Sequence, residues 1–330
     1  MTSAFGTRFT DRYSVAHFRD GAWTTPALEP TEAMTLHPAA HVLHYSSSCF
    51  EGLKAYRRGD GGAAVFRLDR HLERFRHSAG LLCLPVPPAD LVRSMIAAVV
   101  DAGRAAIPDY PGSLYLRPVL FGTELNIGAA GTGSREACLF VLAAPVGDYF
   151  GGASKALRLL VEEDYLRSAP HFGAAKTGGN YASALEPITR ARREHGADQV
   201  LFCPGGEVQE TGAANFMLIN DREIVTRPLD GAILHGVTRD SLLRLAPALG
   251  YTVSERPISV DDMLEWAQSG EAVLTGTAAV MTSVGTLICR GEEVTVGNGE
   301  PGPNAARLRD ALQAIHSGAA PDTHGWLQPV

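Results

Sequence analysis

Apolar residues in this chain come in short runs, and amphipathic stretches at helical spacing lie between them. A run such as LFVLAAPV is far shorter than the roughly 20 residues that a membrane-spanning helix needs. The same brevity suits strands buried in a sheet, such as SLYLRPVLF, REACLFVLAAPV, LRLLVEE, QVLFC, ANFMLIN and EIVTR. Between and around them lie helical patterns. After AVF at 64–66, Leu68, Leu72, Phe75 and Ala79 recur at helical spacing, and Asp90 begins a second amphipathic helix that breaks at Ile107-Pro108-Asp109. Interleaved strands and helices predict an α/β (α+β) architecture.

The second half continues in this way. The segment around Lys176 leads into a helix through about His195, and PGGE predicts a turn between QVLFC and ANFMLIN. TRDSLLRLAPALG predicts a helix ending at Gly250, and SVDDMLEWAQSG an Asp-capped one. EAVLTGT and AVMTSVGTLI predict two further strands. The Gly-rich segment at 148–154 predicts an interdomain loop, dividing the chain into domains at 1–147 and 155–330. At 330 residues two domains are expected.

A net charge of -7 argues against nucleic acid or an anionic membrane as the main partner. The N-terminus lacks a basic segment followed by an apolar run, so no signal peptide is expected. Five scattered cysteines, odd in number and never spaced as CxxC, predict reduced thiols in a cytoplasmic protein and no structural zinc site.

Lys176 stands out because it sits among small and apolar residues, in HFGAAKTGGNY. A desolvated lysine favours its neutral amine, which attacks carbonyl carbon, and the following glycines let a ligand approach the backbone. The alternative is a Lys-Thr-Gly-Gly surface turn. Glu210 stands at the mouth of an apolar strand, where a buried carboxylate needs a cation or a donor, whereas a hairpin glutamate would be solvated. Gly236 and Thr238 open a helix whose first N–H groups suit an anion, unless Thr238 simply caps it. The loop at 275–280 offers small residues and hydroxyls. Arg74, in 71-HLER-74, suits either a phosphate or a neighbouring acid on a solvated helix face. Tyr115 and Arg117 share one side of a strand, which suits a carboxylate or a stem-packed surface arginine.

Taken together and in order, 50-FEGLKAYR-57, 115-YLRPVLF-121, 176-KTGGNYA-182, 210-ETGAANF-216, 235-HGVTRDSL-242 and 276-GTAA-279 resemble the signature of the branched-chain amino acid aminotransferases. The resemblance runs from about His44 to the closing HGWLQPV. It implies the fold type IV of pyridoxal-phosphate enzymes, with a smaller N-terminal α/β domain and a larger C-terminal domain built on a β-pseudobarrel flanked by helices. It also implies pyridoxal 5'-phosphate as cofactor and a homodimer or higher homo-oligomer. The activity implied is transamination of the L-amino acids leucine, isoleucine and valine with 2-oxoglutarate, giving branched-chain 2-oxo acids and L-glutamate. Alternatives within the fold are an aminotransferase for a specialised or D-amino acid and an aminodeoxychorismate lyase.

Residue by residue, the resemblance makes Lys176 the covalent anchor of the cofactor and the catalytic acid/base. Glu210 pairs with the pyridine nitrogen, and Tyr181 with the ring oxygen. Arg74, the backbone of Val237 and Thr238, and Thr277 form the phosphate cup, and Leu234 packs on the ring. On the substrate side, Tyr45, Phe50 and Tyr115 line the side-chain pocket, with Tyr45 reaching in from a partner subunit. Arg117 supplies charge near the entry, and the Thr277-Ala278 backbone meets the substrate carboxylate. No metal is implied. His235, His171-Phe172 and Cys49 depart from the family pattern and bear on substrate preference.

Overall fold

The computed structural model describes residues 5–147 and 155–330, so the expected interdomain loop at 148–154 lies outside the described residues. These residues form two compact units. The first comprises 5–147 with 175–178 and 315–330, and the second 155–174 with 179–314.

The first unit begins with β1 (Arg12–Arg19), β2 (Ala22–Trp23) and β3 (Ala27–Pro30). Then come α1 (His41–Tyr45), β4 (Ser48–Phe50), β5 (Leu53–Arg57), β6 (Ala63–Phe66), α2 (Leu68–Leu81), α3 (Ala89–Ala102), β7 (Ser113–Gly122) and β8 (Ala137–Val146). Among the described residues these strands and the C-terminal strand Leu327–Pro329 make one nine-stranded sheet, antiparallel at every pairing. Its central order is C-terminal strand, β6, β5, β7, β8, β1, β2, with β4 on β7. Strand β7 alternates as a half-buried strand should: Leu114, Leu116 and Leu120 are buried, while Tyr115, Arg117 and Val119 face the other way, partly exposed. The buried face meets Leu72 and Phe75 of α2 and Val92 and Ile96 of α3 in one core.

The second unit contains β9 (Leu157–Glu162), α4 (Gly178–Ser183, its first residue counted with the first unit), α5 (Leu185–His195), β10 (Gln199–Phe202), β11 (Asn215–Ile219) and β12 (Glu223–Thr226). It continues through α6 (Val237–Leu245), β13 (Thr252–Glu255), α7 (Val260–Ala267), β14 (Glu271–Gly276), β15 (Val280–Cys289), β16 (Glu292–Thr295) and α8 (Pro303–Ser317). Its sheet is mixed, with order β10-β9-β15-β14-β11-β12-β13. The β9–β10, β9–β15 and β12–β13 pairs are parallel.

One local expectation holds and another is corrected here. The PGGE turn folds 209–211 back on the end of β10, the Phe202 N–H donating to the Glu210 carbonyl at 3.1 Å and the Gln209 N–H to the Phe202 carbonyl at 3.0 Å, while β11 itself pairs with β12 and β14. The turn is a short 3-10 segment at Pro204–Gly206, with Gly205 and Gly206 both at positive φ. Helix α7 is capped by Ser259, not by an aspartate. The Ser259 hydroxyl accepts the Asp262 N–H while the Asp262 carboxylate accepts the Ser259 N–H, a reciprocal box that satisfies two end donors. No helix among the described residues is long and apolar enough to cross a membrane.

Candidate active site

In the first unit, the turn Phe50-Glu51-Gly52 between β4 and β5 organises most of the candidate residues. The Phe50 N–H donates to the Lys176 carbonyl at 3.0 Å, and the Lys176 N–H donates to Ser78 Oγ at 2.9 Å. Thr177 Oγ1 donates to the Ser48 carbonyl at 2.7 Å, and Cys49 and Thr177 form a bridge. The lysine backbone is therefore held on both sides. Its side chain is half-buried, and Nζ lies 5.0 Å from the centroid of the Phe50 ring. That placement differs from an exposed turn, because Ala174, Ala175 and Thr177 around it are buried.

Arg74 projects from α2 with the side chain largely enclosed. It meets Glu51 through two parallel bonds, Nε to Oε1 at 2.6 Å and Nη2 to Oε2 at 2.8 Å. The neighbouring-acid alternative thus applies, but in the interior and not on a solvated helix face. His71, one turn earlier on α2, places Nδ1 2.8 Å from Glu51 Oε2. Ser78 Oγ also donates to the Arg74 carbonyl at 2.9 Å, so one serine joins the backbones of Arg74 and Lys176.

Tyr115 and Arg117 come together as their shared face predicts. Arg117 Nη2 donates to the Tyr115 hydroxyl at 2.9 Å, and its guanidinium lies 4.8 Å from the Phe50 centroid. Gly52 has to be glycine here, since a Cβ would lie 2.0 Å from the Tyr115 hydroxyl oxygen. Tyr45, at the end of α1, donates to the Ile127 carbonyl and packs 4.8 Å from the His41 ring.

In the second unit, Glu210 is buried just before β11, so the solvated-hairpin alternative does not apply. Its Oε1 accepts the Leu234 N–H at 2.9 Å, and its Oε2 accepts Asn215 Nδ2 at 2.9 Å. Arg167 Nη1 stands 2.7 Å from Oε1, with side-chain exposures of 1% for Arg167 and 2% for Glu210. The Arg167 guanidinium also lies 5.6 Å from the centroid of the half-buried Tyr181 ring. Asn215 Nδ2 donates a second time to the Leu234 carbonyl at 2.9 Å, so Leu234 is fixed through both its backbone groups.

Helix α6 starts at Val237 with Gly236 as its N-cap. Thr238 is therefore not the cap, and no side chain from the cap position covers the first-turn N–H groups. A Cβ on Gly236 would lie 1.9 Å from Asn215 Oδ1, so the close approach demands glycine. Thr277 and Ala278 are partly exposed in the tight link between β14 and β15, which ends on Val280 at φ 61. The nearby Thr275 Oγ1 is buried with no hydrogen-bond partner.

The three departures from pattern have distinct positions. His235 and His171 are exposed, and Phe172 is half-buried. Cys49 is fully buried, and burial, with Glu51 adding to it, pushes its thiol above the usual range and so disfavours the thiolate.

Sequence reasoning missed Glu51, His71, Ser78, Arg167 and Asn215. Glu51, His71 and Asn215 sat inside quoted segments, and His71 with Arg74 is an i,i+3 pair on one helix face. Arg167 carried no local signal, because its partner Glu210 is distant in sequence.

The chain matches the amino-transferase class IV family over residues 48–287 and belongs to it. It is an enzyme of that class. Its relatives include a probable branched-chain-amino-acid aminotransferase of Streptomyces coelicolor, 40% identical over 99% of this chain and 92% of the relative. Among solved structures, the Escherichia coli branched-chain amino acid aminotransferase superposes with a TM-score of 0.79 at 28% identity, covering 97% of this chain and 98% of the other. The T.th. branched-chain amino acid aminotransferase with pyridoxamine 5'-phosphate gives 0.79 at 29% identity, covering 97% and 99%. The fold is accordingly fold type IV of the pyridoxal-phosphate enzymes.

Proposed function

We propose that this chain is a pyridoxal-5'-phosphate-dependent aminotransferase that transfers the amino group of leucine, isoleucine and valine to 2-oxoglutarate. The products are branched-chain 2-oxo acids and L-glutamate. The observation that carries the assignment is the half-buried Lys176, its backbone bonded on both sides and its amine set against an aromatic ring.

The residues present fit the cofactor. A buried carboxylate oriented by two neutral donors and an arginine suits a protonated ring nitrogen, and an uncapped helix start suits a phosphate. When bound, pyridoxal phosphate supplies an aldehyde carbon for amines and a ring that withdraws electrons from the substrate Cα. Lys176 anchors it, and the same amine takes up and returns the proton at Cα. Glu210 keeps a proton on the ring nitrogen, and Tyr181 donates to the ring oxygen. Arg74, the Val237 and Thr238 N–H groups and Thr277 hold the phosphate, and Leu234 packs on the ring.

Phe50, Tyr115 and Tyr45 receive an aliphatic side chain, and the Thr277-Ala278 backbone receives the α-carboxylate. Arg117 answers the second carboxylate of glutamate, and its bond to the Tyr115 hydroxyl holds it beside apolar walls. This assignment goes with a small domain at 1–147 and a large cofactor-binding domain at 155–330, residues 175–178 and 315–330 packing with the former. A homodimer is part of the proposal, with Tyr45 serving the partner's site. The exposed Leu43, Leu125 and Ile127 support it as apolar surface near Tyr45. Five free cysteines support a reducing, cytoplasmic setting.

Steady-state transamination across a panel of L- and D-amino donors with 2-oxoglutarate tests the assignment. Turnover with L-leucine, L-isoleucine and L-valine is expected. Turnover with D-alanine and none with these three would overturn it.

A further inference from the structure

The acid of the Phe50-Glu51-Gly52 turn has no role in the proposed reaction, yet it is among the most enclosed charges in the first unit. The Glu51 side chain is 1% exposed. Burial alone would raise its pKa. The Arg74 charge and hydrogen bonds, with those of His71, outweigh burial and hold the carboxyl well below the usual range. His71 is itself buried, which lowers its pKa and favours neutral imidazole, whose Nδ1–H donates to the Glu51 carboxylate. Two bases from one turn of α2 therefore converge on one carboxylate.

Such a cluster is a poor device for stability, because apolar side chains of similar volume would do as well. What it does provide is orientation. An arginine on its flexible stem samples many rotamers, whereas paired bonds to a carboxylate fix both the position and the plane of the guanidinium. The same turn holds Lys176 through the Phe50 N–H. One turn thus sets Lys176 through its backbone and Arg74 through its side chain.

We propose that Glu51 is a positioning residue, which fixes the plane and reach of the Arg74 guanidinium at which the cofactor phosphate is received. This rests on the assignment of Arg74 to the phosphate. Glu51 acts on phosphate recognition through Arg74, and His71 completes the clamp by holding the second carboxylate oxygen.

The test is a titration of apoprotein with pyridoxal 5'-phosphate and, separately, with pyridoxal, which lacks the phosphate, followed by absorbance. Wild type, Glu51→Gln, Glu51→Asp and Arg74→Gln are compared. Loss of a charge-assisted pair predicts that Glu51→Gln weakens pyridoxal 5'-phosphate binding by about tenfold or more while pyridoxal changes by less than about twofold. Glu51→Asp, which keeps the charge at shorter reach, is expected to lose part of that preference, and it carries the test if Glu51→Gln does not fold. Equal weakening of both ligands, or no weakening of either, would overturn the role of Glu51 if Arg74→Gln still abolishes the preference. If Arg74→Gln leaves the preference intact, the assignment of Arg74 falls, and this inference with it.

Discussion

Replacing Glu210 with leucine would leave Arg167 buried without its counter-charge. The two side chains are 1% and 2% exposed and 2.7 Å apart, so solvent screens neither. Removing one partner of a buried ion pair costs about 3–5 kcal/mol, because the remaining charge is stranded in low dielectric. The Leu234 N–H and Asn215 Nδ2, which donate to Glu210, would also lose an acceptor, adding about 1–3 kcal/mol each if water cannot reach them. Unfolding entropy for a chain of 330 residues is roughly 0.7 kcal/mol per degree at the midpoint, so 3–5 kcal/mol alone corresponds to a Tm lower by about 4–7 °C. Arg167→Met should cost a similar amount by stranding Glu210. The double variant Glu210→Leu, Arg167→Met should cost much less than the sum of the two single changes, since it removes both charges together. The assay is thermal and denaturant unfolding of all four proteins without added cofactor. A coupling below about 0.5 kcal/mol across the cycle, the level expected of independent sites, would refute the account of Glu210 as an arginine-held carboxylate.

His316 is buried against Tyr56, and burial, with Lys54 nearby, depresses its pKa to about 3. Its contribution to stability is therefore complete above the unfolded pKa of about 6.5 and is lost as pH falls from there toward 3, at up to about 1.4 kcal/mol per pH unit. Melting curves at pH 7 and pH 5 should show a drop that His316→Gln reduces, and an equal drop in both proteins would contradict this. Gly52→Ala places a methyl against the Tyr115 hydroxyl and so displaces the Arg117–Tyr115 pair; KM for glutamate should rise more than KM for leucine, and an equal change would count against the role of Arg117. Gly236→Ala forces Asn215 away from Glu210 and should weaken pyridoxal 5'-phosphate binding by about tenfold, as loss of one hydrogen bond to a charged group implies, measured by absorbance titration. Unchanged affinity would show that Asn215 does not orient the carboxylate.

Much of the fold could be read from local pattern. The apolar stripe of α2 and the alternation of β7 appear in the sequence at periods of 3.6 and 2 and recur as buried faces. What could not be read depended on distant partners. The Gly-rich turn after β10 is visible in the sequence, but the strand partners are not, because pairing is decided by which neighbours bury each strand: β10 lies on β9, and β11 on β14. The aspartates of SVDDMLEW drew attention as caps, although the serine before them had the reach and the extended backbone. For the site, Lys176 and Glu210 were conspicuous as charges in apolar company. Arg167 and Glu51 were not, because their partners Glu210 and Arg74 are remote in sequence.

The central claim is that Lys176 is the residue that anchors the cofactor. Protein loaded with pyridoxal 5'-phosphate, reduced with borohydride and digested, should yield a phosphopyridoxyl group on the peptide containing Lys176, and Lys176→Ala should abolish it. Label on another lysine, such as Lys54 or Lys155, or no label at all, would contradict the account.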